Sequence, residues 1–60
     1  MFDLKTLRLK KGVRQVELAA ETGTTVQYIW MIENGERKPS VKVAKRIAKV
    51  LGFDWTLFFE

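Results

Sequence analysis

Apolar residues in this chain recur at three- and four-residue spacing, in short stretches separated by glycines and polar links. That spacing marks one buried face of an α-helix, not the alternation of a half-buried strand. Asp3 can cap a first helix running through Lys11, with Gly12 just past its end. Leu4 and Leu7 face the core there, and Lys10 and Lys11 sit in the last turn, where the helix dipole favours cations. Val13, an isolated apolar residue in the link, is expected to plug the core. The next stretch predicts two helices, one from about Gln15 to Glu21 and one from about Val26 to Glu33. Leu18, Ala19 and the methyl of Thr22 point inward from the former, Ile29 and Ile32 from the latter. Asn34 and Gly35 end that helix, and a polar loop from Glu36 to Pro39 follows. Ser40 is an N-cap for a fourth helix with two distinct faces. Val43, Ala44, Ile47, Ala48 and Leu51 make the apolar face, and Lys42, Lys45, Arg46 and Lys49 the wet one. Gly52 stops it, and Asp54 caps a last short helix from Trp55 to Glu60. No repeat, strand-like alternation or low-complexity segment interrupts this order. The expectation is one all-α domain over residues 1–60, a compact five-helix bundle.

The two central helices form a unit. Gly23 reverses the chain between them, and glycine takes positive φ without steric cost. The small pair Ala19 and Ala20, one turn earlier, lets the second helix cross close over the first. Thr25 can cap the second helix by accepting from a backbone N–H near Gln27 or Tyr28. Arg14 precedes the first and is a poor N-cap, since its side chain has no acceptor, but Glu17 can supply the returning half of a capping box. Two helices, a glycine turn and a polar outer face describe a helix-turn-helix, whose known use is to lay its second helix in a DNA major groove.

Composition narrows the partners. The chain has 60 residues, no cysteine and no histidine, so the fold rests on packed apolar side chains without disulfide or zinc. Lys and Arg total 11 against 7 Asp and Glu, a net charge of +4 that favours polyanions. The distribution says more than the total. Lys10, Lys11 and Arg14 precede the motif, and Arg37, Lys38 and Lys42 follow it, where phosphates would run. No signal peptide or transmembrane run is visible, which predicts a cytoplasmic protein with no membrane partner. No paired carboxylates suggest acid–base work, so an enzyme is not expected, nor any cofactor, metal or small-molecule ligand.

A family resemblance now emerges from Leu7-Arg8, Lys11-Gly12, Gln15, Glu17-Leu18-Ala19, Gly23, Ile29, Ile32-Glu33-Asn34-Gly35, Pro39-Ser40, Ala48 and Leu51-Gly52. The string resembles the DNA-binding domain of phage Cro and repressor proteins, the lambda-repressor-like fold, from about Leu4 to Phe59. That resemblance implies base-facing roles for Gln15, Val26, Gln27 and Met31. It implies phosphate-facing roles for Thr25, Asn34 and the loop with Arg37, Lys38 and Ser40, to which Arg14, Tyr28, Trp30 and Lys42 are added. It also implies an ion pair between Arg8 and Glu33. Arg14 departs from the family's usual Ser, Thr or Asn, suggesting a weaker cap but an extra phosphate contact. Thr22 and Thr24 stand where Leu and Val are usual, suggesting a slightly poorer core at the turn.

Alternatives stand beside several of these roles. Gln27 can pair with adenine through its amide or be a solvated surface residue. Gln15 can touch phosphate, brace Gln27, or serve only as a surface helix former. Val26 and Met31 suit thymine methyls, or else form a staple and a flexible core edge. Trp30 can pack on the sugar-phosphate chain or lie over the linker after Asn34. Trp55, Leu57, Phe58 and Phe59 are too many large apolar groups for one short helix to bury. Trp55 or Phe58 is expected to close the core, leaving a patch of Trp55, Leu57 and Phe59 for dimerisation, with Leu57 exposed. The leading expectation is therefore a sequence-specific double-stranded DNA-binding transcriptional regulator, a repressor occluding an operator as a homodimer. The alternative is a protein-interaction module that keeps the helix-turn-helix core.

Overall fold

Side-chain caps set where the helices begin. In the computed structural model, which describes residues 2–60, Asp3 accepts the Thr6 N–H at 3.2 Å and opens α1 (Leu4–Lys10). Thr25 accepts from Tyr28 at 3.1 Å and opens α3 (Val26–Glu33). Ser40 accepts from Val43 at 3.2 Å and opens α4 (Val41–Leu51). Between them α2 runs over Gln15–Thr22, one residue further than its periodicity predicts.

The fifth element is a 3-10 helix over Trp55–Phe59. The order is thus four α-helices and a 3-10 helix, where five α-helices were expected. Five residues rich in aromatics cannot repay the cost of nucleating an α-helix, so the tighter i→i+3 turn wins. Its first bond runs from the Leu57 N–H to the Asp54 carbonyl at 3.1 Å. No helix among the described residues is long and apolar enough to cross a membrane.

The core follows the helical stripes. Leu4, Leu18, Ala19, Ile29, Ile32, Ala44, Ile47, Ala48 and Leu51 are all buried. Leu7, Val13 and Val43 are half-buried at its edge. α2 packs on α3 and α4, α1 on α3, and the 3-10 helix on α4. Of the two candidates for closing the core, Phe58 does so. Its ring lies 4.9 Å from Phe2 and 5.5 Å from Phe53, and Phe2 lies 4.9 Å from Phe53. Trp55 stays half-buried, with the Lys45 ammonium 5.1 Å above its ring.

Leu57 departs from expectation. It is half-buried and lines a groove of about 400 Å³ with Phe2, Ile32, Pro39 and Phe58, while Phe59 is 40% exposed. Three residues per turn is the reason: with Phe58 turned into the core, its neighbours lie a third of a turn to either side. One side meets the loop after α3, and the other meets solvent.

The caps also make stability pH-dependent. The side-chain and backbone donors of Thr6 hold the Asp3 carboxyl below its ordinary value. The Arg14 N–H and side chain do so for Glu17, and the Thr56 N–H and hydroxyl for Asp54. A depressed folded-state pKa stabilises above the ordinary carboxylate range and loses that stabilisation as pH falls through it. Melting temperature should therefore drop as pH falls below about 4. A variant combining Asp3→Asn, Glu17→Gln and Asp54→Asn should show a flatter acid limb; an unchanged slope would refute the capping account.

Candidate nucleic-acid interface

The turn between α2 and α3 is closed by backbone bonds that need a left-handed residue. Gly23 has φ +68°, its N–H meets the Ala20 carbonyl at 3.4 Å, and the Thr24 N–H reaches Ala19 at 2.9 Å. Thr22 is buried, yet its hydroxyl meets the Leu18 carbonyl at 2.7 Å and the Thr24 hydroxyl at 3.0 Å. The two threonines satisfy one another within the turn. Arg46 reaches across from α4 to the Thr22 carbonyl at 3.4 Å. Ala19 is buried, whereas Ala20 is exposed and contributes little to the close crossing.

The end of α3 is anchored more firmly. Glu33 takes both arms of the Arg8 guanidinium, Nε to Oε2 and Nη2 to Oε1. The third nitrogen, Nη1, donates to the Val13 carbonyl at 2.9 Å. The Gln15 amide nitrogen donates to Glu33 Oε1 at 3.0 Å. The Glu33 and Arg8 side chains are only 2% and 7% exposed, so this network lies within the protein. It joins α1, α2, α3 and the link at Val13. Gln15 is accordingly half-buried and tied to Glu33; bracing of Gln27 is not what its amide nitrogen does.

With Ile29, Ile32 and Glu33 turned inward, α3 presents its other side. Val26 is 42% and Trp30 45% exposed, Gln27 is exposed and Met31 half-buried. Tyr28 is half-buried against the core, with the Arg37 guanidinium 5.1 Å over its ring. Asn34 is exposed, but its amide nitrogen donates to the Trp30 carbonyl at 2.8 Å and closes the helix end. Thr25, Ser40, Arg14, Arg37, Lys38 and Lys42 are exposed. Arg14 lies 3.3 Å from Glu17, while Arg37, Lys38 and Lys42 form no ion pair among the described residues. Glu17 accepts the Arg14 N–H at 2.8 Å, the returning half of a capping box. Among the described residues the Arg14 side chain makes no capping hydrogen bond to the first turn of α2. The Arg37–Tyr28 stacking, across nine residues, has no sequence signature; the Asn34 side chain closes the helix end that the sequence places at Asn34 and Gly35.

Residues 4–58 match the model of a family described as helix-turn-helix. The chain is 56% identical over 57 residues to an uncharacterized HTH-type transcriptional regulator, YqaF, of Bacillus subtilis, a match spanning 95% of this chain and 75% of that protein. It is 39% identical over 46 residues to an uncharacterized HTH-type transcriptional regulator, y4dJ, of Sinorhizobium fredii, spanning 77% of this chain and 60% of the relative. It is 37% identical over 51 residues to the ImmF control region 10 kDa protein of Bacillus phage phi105, spanning 85% of this chain and 57% of that protein. The chain thus covers less than two thirds of the length of the latter two.

The network around Glu33 predicts a sharp contrast. Arg8→Ala strands a buried carboxylate and should cost about 3–5 kcal/mol, enough to unfold much of a domain this small. Lys49→Ala, at an exposed position, should stay within about 0.5 kcal/mol of the parent. Urea midpoints measure both, and equal midpoints would dismiss the pair as an anchor.

Proposed function

The chain belongs to the helix-turn-helix family, whose model covers residues 4–58, and from that premise we propose that it is a sequence-specific double-stranded DNA-binding regulator that represses by occluding an operator. The observation that carries this is the orientation of α3: a buried network fixes its inner side while Val26, Gln27 and Trp30 stay exposed on the other. Val26, Gln27 and Met31 take the base-facing roles. Gln15 takes a base-facing role as well, although its amide nitrogen is tied to Glu33. Arg14, Arg37, Lys38 and Lys42 neutralise phosphates, with Thr25, Tyr28, Trp30, Asn34 and Ser40 along the same path. Phosphate neutralisation makes affinity fall steeply with salt. The phi105 relative is named for a control region, which favours a regulatory role here too.

Size favours a pair of copies on the duplex. The longest extent of the chain is 25 Å. Successive major grooves on one face lie about 34–36 Å apart, so one copy reads one groove only. A second copy related by a dyad doubles the sequence read and the phosphate contacts. The C-terminal patch of Trp55, Leu57 and Phe59 is the proposed contact, with Phe59, not Leu57, as its exposed centre. The exposed apolar Val26 and Trp30 favour a second reading, a module docking on another protein. A gel shift with duplex DNA at several salt concentrations separates the two.

Gln27→Ala should weaken binding to the preferred site by about 1–3 kcal/mol and relax base preference there. Equal loss on every duplex would count against a base contact. Phe59→Glu should leave the helical spectrum intact and abolish cooperative filling of two half-sites. Retained cooperativity would move the pairing surface elsewhere.

A further inference from the structure

We propose that α3 reads bases mainly through pyrimidine 5-methyl groups, so that thymines define the preferred duplex and 5-methylcytosine can replace one of them. This rests on the DNA-binding reading above. At 3.6 residues per turn, Val26, Trp30, Gln27 and Met31 share an outer arc of about 140°. Three of the four lack any strong hydrogen-bond acceptor, and only Gln27 can both donate and accept. Val26 is 42% exposed and Met31 half-buried; Met31 adjoins the one amide on this arc, and Val26 lies at the arc's other edge beyond Trp30. Their outer surface is apolar where a base edge would meet it.

The major-groove edges of the bases carry donors and acceptors, and thymine alone adds a methyl group. A donor or acceptor pressed against Val26 or Met31 loses its water and gains no partner. A thymine methyl at the same place buries apolar surface on both sides and strands nothing. The arc therefore selects for the methyl and against a bare polar edge. Charge complementarity brings it to a duplex: exposed Arg14 stands ahead of α2, and exposed Arg37 and Lys38 stand beyond α3. A methyl at the 5-position of cytosine projects into the same groove from the same ring position. Val26 and Met31 respond to that methyl and not to the base that bears it, which makes binding responsive to cytosine methylation.

The experiment starts from a duplex selected by this chain out of a random pool. Each thymine is replaced in turn by uracil, and each T·A pair by C·G or by 5-methylcytosine·G. Uracil at a contacted position should lower affinity roughly four-fold, the worth of one buried methyl. The C·G pair should lose at least as much, and 5-methylcytosine should recover about four-fold of it. Val26→Ala and Met31→Ala should each remove the uracil effect at one position while keeping the helical spectrum. Equal affinity for thymine and uracil duplexes, a selected site without thymine, or a uracil effect that survives both substitutions would overturn the proposal. Failure to bind any duplex would instead overturn the DNA-binding reading itself.

Discussion

A single carboxylate organises this domain. Glu33 lies at the last turn of α3 and is almost wholly enclosed, with both arms of Arg8 and the amide of Gln15 on its oxygens. An ion pair so enclosed adds little net stability, because desolvation offsets attraction. What it adds is orientation. Any rotation of α3 about its axis strands a charge, so the helix has one angular setting. Two other contacts hold its ends: the Thr25 cap at 3.1 Å and the Asn34 amide on the Trp30 carbonyl at 2.8 Å.

That constraint explains how so short a helix can serve as a rigid edge. α3 has 8 residues, too few to hold a helix alone in water. Ile29 and Ile32 attach it to the core, but apolar packing is not directional. The polar network supplies direction on the same inner side. The outer side is then free to vary in chemistry without cost to the fold. In this chain it carries Val26, Trp30 and Met31 around one amide.

The C-terminal end follows a different logic. Phe2, from the start of the chain, meets Phe53 and Phe58 near its end to close the core, with ring centroids 4.9 to 5.5 Å apart. Such a cluster extends a core that 60 residues can barely supply. Once Phe58 is committed inward, the short 3-10 turn sends Phe59 to solvent and Leu57 to the groove beside Pro39. The apolar surface at this end is thus a by-product of closing the core.

Much of this was legible along the chain. Helix starts at Asp3, Thr25 and Ser40, the reversal at Gly23 and the buried stripe of α4 depend on residues within a turn or two of one another. The family resemblance supplied the pairing of Arg8 with Glu33, which composition alone would have left as two solvated charges. Tertiary structure decided the rest. The amide of Gln15 goes to Glu33, 18 residues away, because helix crossing puts them together and no spacing rule connects them. Phe2 joins the core although it precedes the first cap and belongs to no periodic face. Sequence narrows the core-closing group to Trp55 or Phe58 and expects Leu57 exposed; the structure chooses Phe58 and half-buries Leu57, since each is apolar enough to be buried. Local capping and helical periodicity are written in neighbours, so sequence determined them. Which of several equivalent groups wins a contact is set by where the backbones meet in space.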